Sequence, residues 1–187
     1  MSKRILILAS GTGSLAQRVM QAVSDGVLDL EIVAVLSDKQ APVLEVAQTF
    51  AIPTIYLPVG SDRSEWNKAL LETTRKLNPD LVVSLGFMRI LSAEYVKEFS
   101  VINTHPSLLP LYPGAHAVRD ALAAGATKSG STVHWVDAGV DTGPIIAQLE
   151  VPIRPGVSES ELHEEIKIVE RALIVEVLQS YATRGKL

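Results

Sequence analysis

Residues 4–16 read Arg-Ile-Leu-Ile-Leu-Ala-Ser-Gly-Thr-Gly-Ser-Leu-Ala. Arg4 to Ala9 is a short, nearly unbroken apolar run, the pattern of a strand buried on both faces. Ser10 to Ser14 is a glycine-rich turn, and a helical pattern follows with Leu15, Val19, Met20 and Val23. Strand, glycine turn, helix is the opening unit of an α/β sheet. Free amides at such a helix start suit a phosphate. Gly11 to Ala16 also fits G-x-G-x-x-A, a dinucleotide fingerprint, with Asp38 as its ribose-binding acid. A plain tight turn explains the glycines equally well.

The same alternation continues. Glu31–Ser37, Thr54–Leu57 and Leu81–Leu85 read as strands, and Pro42–Phe50 and Ser61–Leu77 as helices, the latter capped by Asp62 or Ser61 and stopped by Asn78-Pro79. Arg63 and Trp66 lie one turn apart near its start, as surface packing or as a grip on a ligand tail bearing carboxylates. Phe87 to Leu91 is apolar for a loop, which makes it a core plug or the wall of a pocket for a flat ring. Ser92 starts another helix, and Ala117–Ala124 forms one closed by Gly125. Lys128–Val136 and Ile145–Pro152 read as an antiparallel hairpin. Ser158-x-x-Glu161 is a capping box opening a helix to about Ala182. The expected fold is a single α/β domain, with a mostly parallel twisted sheet of about seven strands and an antiparallel edge hairpin.

Composition narrows the function. The 187 residues are 47% hydrophobic, enough for a sizeable core, and 17 basic against 21 acidic residues give a net charge of −4. That is no nucleic-acid footprint. There is no cysteine, which excludes disulfides, thiolate metal sites and cysteine nucleophiles. No apolar run nears the roughly 18 residues of a membrane span, and no signal-peptide pattern opens the chain. A cytoplasmic protein acting on small molecules, as monomer or homodimer, is the expectation.

Val101 to Gly114 reads Val-Ile-Asn-Thr-His-Pro-Ser-Leu-Leu-Pro-Leu-Tyr-Pro-Gly. It opens as a strand and ends in a proline-stiffened loop. Asn103 and His105 are two residues apart, so on an extended backbone they point the same way. An amide donor then stands beside an imidazole that titrates near neutrality. Asp141, in a turn-rich loop, is the acid placed to meet His105. A carboxylate there favours the charged imidazole, which suits stabilisation of an oxyanion. The plainer alternative makes Asn103 a turn cap and His105 a loop histidine. His105, His116 and His134 lack metal-binding spacing, and no metal is expected.

Ser10–Ser14, Gly86–Leu91, Asn103–Pro110, Tyr112–His116, Thr132–Asp137 and Asp141–Ile146 together closely resemble the phosphoribosylglycinamide formyltransferases, in order and over nearly the whole chain. The resemblance implies a Rossmann-like formyltransferase fold and formyl transfer from 10-formyltetrahydrofolate to the amine of phosphoribosylglycinamide. It makes Asn103, His105 and Asp141 catalytic. Backbone amides of Gly13, Ser14 and Leu15 would hold the acceptor's phosphate, with Lys167 and Glu170 at its ribose and glycinamide. Met88, Arg89, Ile90 and Leu91 with Asp137, Ala138, Gly139, Val140 and Asp141 would form the folate pocket beside Asn103, with Arg63 at the glutamate tail. Residues from 1 to about 100 would thus bind phosphate, and those from about 101 to 187 would bind folate and catalyse. The family usually has Asn at Leu15 and often Gln at Lys167. Transfer to another amine, formylfolate hydrolysis and a dinucleotide-binding module are the competing readings.

Overall fold

Ile5, Leu6, Ile7 and Leu8 expose no surface, because their strand lies in the interior of the sheet with a strand on either side and helices on both faces. The computed structural model describes residues 2–187. In chain order the elements are β1 (Lys3–Leu8), α1 (Ser14–Ser24), β2 (Leu30–Ser37), α2 (Pro42–Thr49), β3 (Thr54–Tyr56), α3 (Arg63–Leu77) and β4 (Leu81–Ser84). There follow α4 (Ala93–Glu98), β5 (Val101–His105), α5 (Ala117–Ala123), β6 (Lys128–Trp135), β7 (Ile145–Pro152) and α6 (Glu159–Arg184).

The seven strands form one sheet in the order β3-β2-β1-β4-β5-β6-β7. Pairings from β3 through β5 are parallel. Those of β5 with β6 and β6 with β7 are antiparallel. The expected α/β architecture with its antiparallel edge is therefore present, and α6 runs on to Arg184, slightly beyond the expected Ala182.

Local chemistry sets the helix ends. Asp62 is the cap of α3, accepting from the amides of Ser64 at 2.7 Å and Glu65 at 3.3 Å. Ser158 and Glu161 satisfy one another's amides at the start of α6. One face of the sheet packs on α1, α2 and α6 through residues such as Val19, Val43 and Leu173. The other packs on α3 and α4 through Trp66, Leu70 and Tyr95.

The chain leaves β1 toward β2 on one side, yet β4 lies on the other side of β1. Loops after β1 and β4 therefore part above the sheet and leave a crevice, the place where open α/β sheets bind ligands.

Candidate active site

A cleft of about 650 Å³ occupies that crevice. Gly11–Leu15 after β1 and Gly86–Leu91 after β4 form two of its walls, and Asn103–Pro106 its floor. Residues 114–118 at the start of α5, the loop around Asp141, and Lys167 and Glu170 of α6 close it.

Alternation along β5 turns Asn103 and His105 to one side, as the sequence predicts. Asn103 Oδ1 accepts from Ser84 Oγ at 2.8 Å, which fixes the amide so that Nδ2 faces His134 Nε2 at 3.3 Å. His105 is 4% exposed. Its Nε2 lies 2.8 Å from the Tyr112 carbonyl and its Nδ1 3.3 Å from Asp141 Oδ2. Both neighbours are acceptors, so only the doubly protonated ring can donate to both.

Asp141 thus joins the pair, although 36 residues separate it from His105 in sequence. The amide of Gly114 donates to its Oδ2 at 2.8 Å. Burial acts to raise its pKa, but hydrogen bonds from His134 and Gly114 and the nearby imidazoles outweigh it, leaving Asp141 below the ordinary carboxylate value.

His134 is the residue the sequence reading did not place here. It sits opposite Asn103 on β6. Its Nδ1 is 2.8 Å from the Trp135 carbonyl and so carries a proton, leaving Nε2 between Asn103 Nδ2 and Asp141 Oδ1 at 3.5 Å. Without a proton, Nε2 accepts from Asn103; with one, it donates to Asp141.

On the other side of the cleft, Gly13 caps α1 in the left-handed conformation (φ 76°, ψ 21°), and among the described residues no side chain caps the first amides of that helix. Leu15 turns into the core, so only its backbone serves a ligand there. Glu170 is 9% exposed; burial pushes its carboxyl up, partly offset by Thr104, Lys167 and Arg171. Lys167 Nζ donates to Glu164 at 2.8 Å. His163, which the sequence reading also passed over, lines the cleft two turns before Glu170; burial and Lys167 lower its pKa.

Two residues expected at the folate lie outside the cleft lining. Ala138 is exposed and not part of the cleft lining. Asp137 Oδ1 accepts from Gly139 N at 2.9 Å and Thr142 Oγ1 at 2.7 Å, and this local turn throws Ala138 outward. Arg63 lies outside the lining too. Its guanidinium stacks 4.4 Å from the centre of the Trp66 ring and donates to the carbonyl of Ile90, so surface packing explains the side chain and the rim position keeps it beside the cleft. Phe87 and Leu91 are buried while Met88 and Ile90 are exposed, so the apolar loop is part plug and part wall. Asp38 is not free for a ribose: Ser10 Oγ donates to one oxygen at 2.5 Å and Arg89 Nε to the other at 2.6 Å. That removes the acid on which the dinucleotide reading depends. Among the described residues, no group of three His, Cys, Asp or Glu side chains is disposed to hold a metal ion.

An amide, two imidazoles and a carboxylate converging on one cleft fit acyl-type transfer through an oxyanion. Comparison with known proteins agrees. Residues 3–178 match the formyl transferase family. The phosphoribosylglycinamide formyltransferase of Mycobacterium tuberculosis (strain CDC 1551 / Oshkosh) is 45% identical over 186 residues, 97% of this chain and 86% of that protein. The trifunctional purine biosynthetic protein adenosine-3 of Drosophila melanogaster is 40% identical over 171 residues, 88% of this chain and 13% of that much longer protein. The crystal structure of glycinamide ribonucleotide transformylase 1 from Symbiobacterium toebii superimposes with a TM-score of 0.93 at 33% identity, covering 97% of this chain and 88% of that one. The chain belongs to the formyl transferase family.

Proposed function

We propose that this enzyme transfers the formyl group of 10-formyltetrahydrofolate to the amine of phosphoribosylglycinamide in purine biosynthesis. The observation that carries the reading is the meeting of Asn103, His105 and Asp141 in one cleft, with His105 Nδ1 3.3 Å from Asp141. The identity of the relatives supports the acceptor.

The acceptor's amine nitrogen attacks the formyl carbon, a C–N bond forms, and the carbonyl electrons move onto oxygen. Asn103 Nδ2, held by Ser84 through the amide's other end, donates to that oxygen as its charge grows. The bond from the formyl carbon to the folate nitrogen then breaks. The proton lost by the attacking amine reaches the leaving nitrogen through His105, which Asp141 orients. His134 steadies Asn103 or Asp141 according to its own protonation.

The first-turn amides of α1 at Gly13, Ser14 and Leu15 receive the acceptor's phosphate, and Lys167 and Glu170 its sugar and glycinamide. Met88 to Leu91, with Asp137, Gly139, Val140 and Asp141, receive the folate ring, and Arg63 its glutamate tail. In this assignment phosphate binding draws mainly on residues 1 to about 100 and catalysis on the remainder. Arg63 and Met88–Leu91 cross the division, which makes the two halves one working domain.

The test is turnover of the purified protein with 10-formyltetrahydrofolate and phosphoribosylglycinamide. His105→Ala and Asn103→Ala are expected to lose about 10²–10³ in kcat with little change in KM, because their contacts strengthen in the transition state. Formyl transfer only to another amine, or to water, would overturn the acceptor assignment. Near-normal kcat in either variant would overturn the roles.

A further inference from the structure

One buried carboxylate near the cleft takes part in none of these steps. Asp38 follows β2, and its side chain is completely covered. β1 lies between β2 and β4, so Asp38 is separated by a whole strand from the loop that leaves β4. Four hydrogen bonds span that distance. The amide of Ser10 donates to the carbonyl of Gly86 at 3.2 Å, and the amide of Met88 donates to Ser10 Oγ at 3.0 Å. Ser10 Oγ in turn donates a hydrogen bond to Asp38 Oδ1 at 2.5 Å. Arg89 Nε returns to Asp38 Oδ2 at 2.6 Å.

We infer that Asp38 is a positioning residue for the formylfolate side of the cleft, holding the loop Gly86–Leu91 in its binding course through Ser10 and Arg89. The inference rests on the folate assignment made above for that loop.

The loop's own side chains explain why a polar clamp is needed. Phe87 and Leu91 turn inward at 9% and 7% exposure, but Met88 and Ile90 between them are 62% and 64% exposed. Two outward apolar residues in so short a stretch give no burial to fix the backbone between them. They do present a greasy surface at the cleft wall, useful to a flat ring only if its position is constant. A carboxylate suits the clamp because it offers an acceptor to each of two donors, one of them charged. An asparagine in its place has one acceptor oxygen and no charge, so it cannot take a donated bond on each side, and Arg89 has no acceptor for its NH₂ group. The same contacts explain why Asp38, at the position of a dinucleotide fold's ribose acid, has no oxygen to spare for a ribose.

The experiment compares Asp38→Asn, Ser10→Ala and the double variant with the wild-type enzyme, since neither residue lines the cleft. KM is measured separately for 10-formyltetrahydrofolate and for phosphoribosylglycinamide, and binding of a non-transferable folate analogue is followed by calorimetry. Loss of a charge-assisted hydrogen bond predicts a rise of about tenfold or more in the formylfolate KM and in the analogue's Kd. The acceptor KM and kcat stay within about threefold. The double variant is no worse than the poorer single variant, because both substitutions cut the same link. An unchanged formylfolate KM, an equal rise in both KM values, or fully additive effects would overturn the inference. Ser10→Ala keeps the test open if Asp38→Asn folds poorly, because it removes one hydroxyl from the link and leaves the Asp38–Arg89 pair in place. A wild-type enzyme that neither uses 10-formyltetrahydrofolate nor binds the analogue would overturn the folate assignment and this inference together. Normal wild-type behaviour with unaffected variants would sink the inference alone.

Discussion

Replacing Gly13 by alanine tests the geometry of the proposed phosphate site through two separable costs. Gly13 has φ 76°, a region where a Cβ approaches its own carbonyl and costs about 1–2 kcal/mol. A Cβ built there also lies 2.3 Å from Val43 Cγ2 and 2.6 Å from Val43 Cβ. Val43 is fully buried where α2 packs against the sheet, so it cannot swing into solvent. Overpacking of this kind costs about 1–3 kcal/mol. The sum, about 2–5 kcal/mol, is a large part of the roughly 5–15 kcal/mol that holds an ordinary domain together. At about 2–4 °C per kcal/mol for a chain of this size, Tm falls by about 4–20 °C. Two other glycines calibrate the experiment. Gly26 has φ 72° with no atom near the added Cβ, so Gly26→Ala reports strain alone, about 1–2 kcal/mol. Gly11 carries neither strain nor clash, and Gly11→Ala leaves Tm unchanged or slightly raised. Thermal and urea unfolding of the three variants give the ladder directly. The acceptor KM should rise only in Gly13→Ala, because relief of the clash shifts the first amides of α1. If Gly13→Ala is no worse than Gly26→Ala, Val43 yields and the packing argument is wrong. If all three variants match the wild type, the strain argument is wrong as well.

Other substitutions probe the catalytic side. Ser84→Ala frees the Asn103 amide to rotate and should lower kcat about three- to tenfold with KM unchanged; an unaltered kcat would show that Ser84 does not orient Asn103. Asp141 has a lowered folded pKa, so its contribution to stability is present above about 3.9 and is lost as pH falls through the lower folded value. Asp141→Asn should therefore lose kcat at neutral pH, and its Tm deficit should shrink below about pH 4; a deficit constant with pH counts against the shift. Burial raises the pKa of Glu170, so its stabilising share is present at low pH and lost as pH rises through the folded value. Glu170→Gln should gain Tm relative to wild type on going from pH 4 to pH 8 while the acceptor KM rises; equal Tm differences at both pH values would refute the burial argument.

How much of this was legible in the sequence depended on how far apart the interacting residues lie. The Ser158–Glu161 box and the Asp62 cap concern amides within one helical turn, and both are present in the expected form or as one of two expected forms. Asn103 and His105 share a face because β5 alternates, a property of the strand itself. His134 was missed because its position depends on which β6 residue stands opposite Asn103. In most half-buried strands alternating hydrophobicity sets that register, since a slip of one residue would expose the core face. β6 offers no such guide: Ser129 and Ser131 point one way, Thr132 and His134 the other, and all four are buried. Polar residues on both faces leave the choice to the neighbouring strands, which sequence periodicity does not report. Asp38 shows the same effect across a wider gap. Its position after a strand fits a ribose-binding acid, but the Arg89 that occupies it arrives 51 residues later, on a loop brought close only because β4 lies beside β1. The chemistry each residue offers could be read from its type. Which partner consumes that chemistry was decided by strand order, and strand order therefore separates the carboxylate free to orient His105 from the one already spent on the loop.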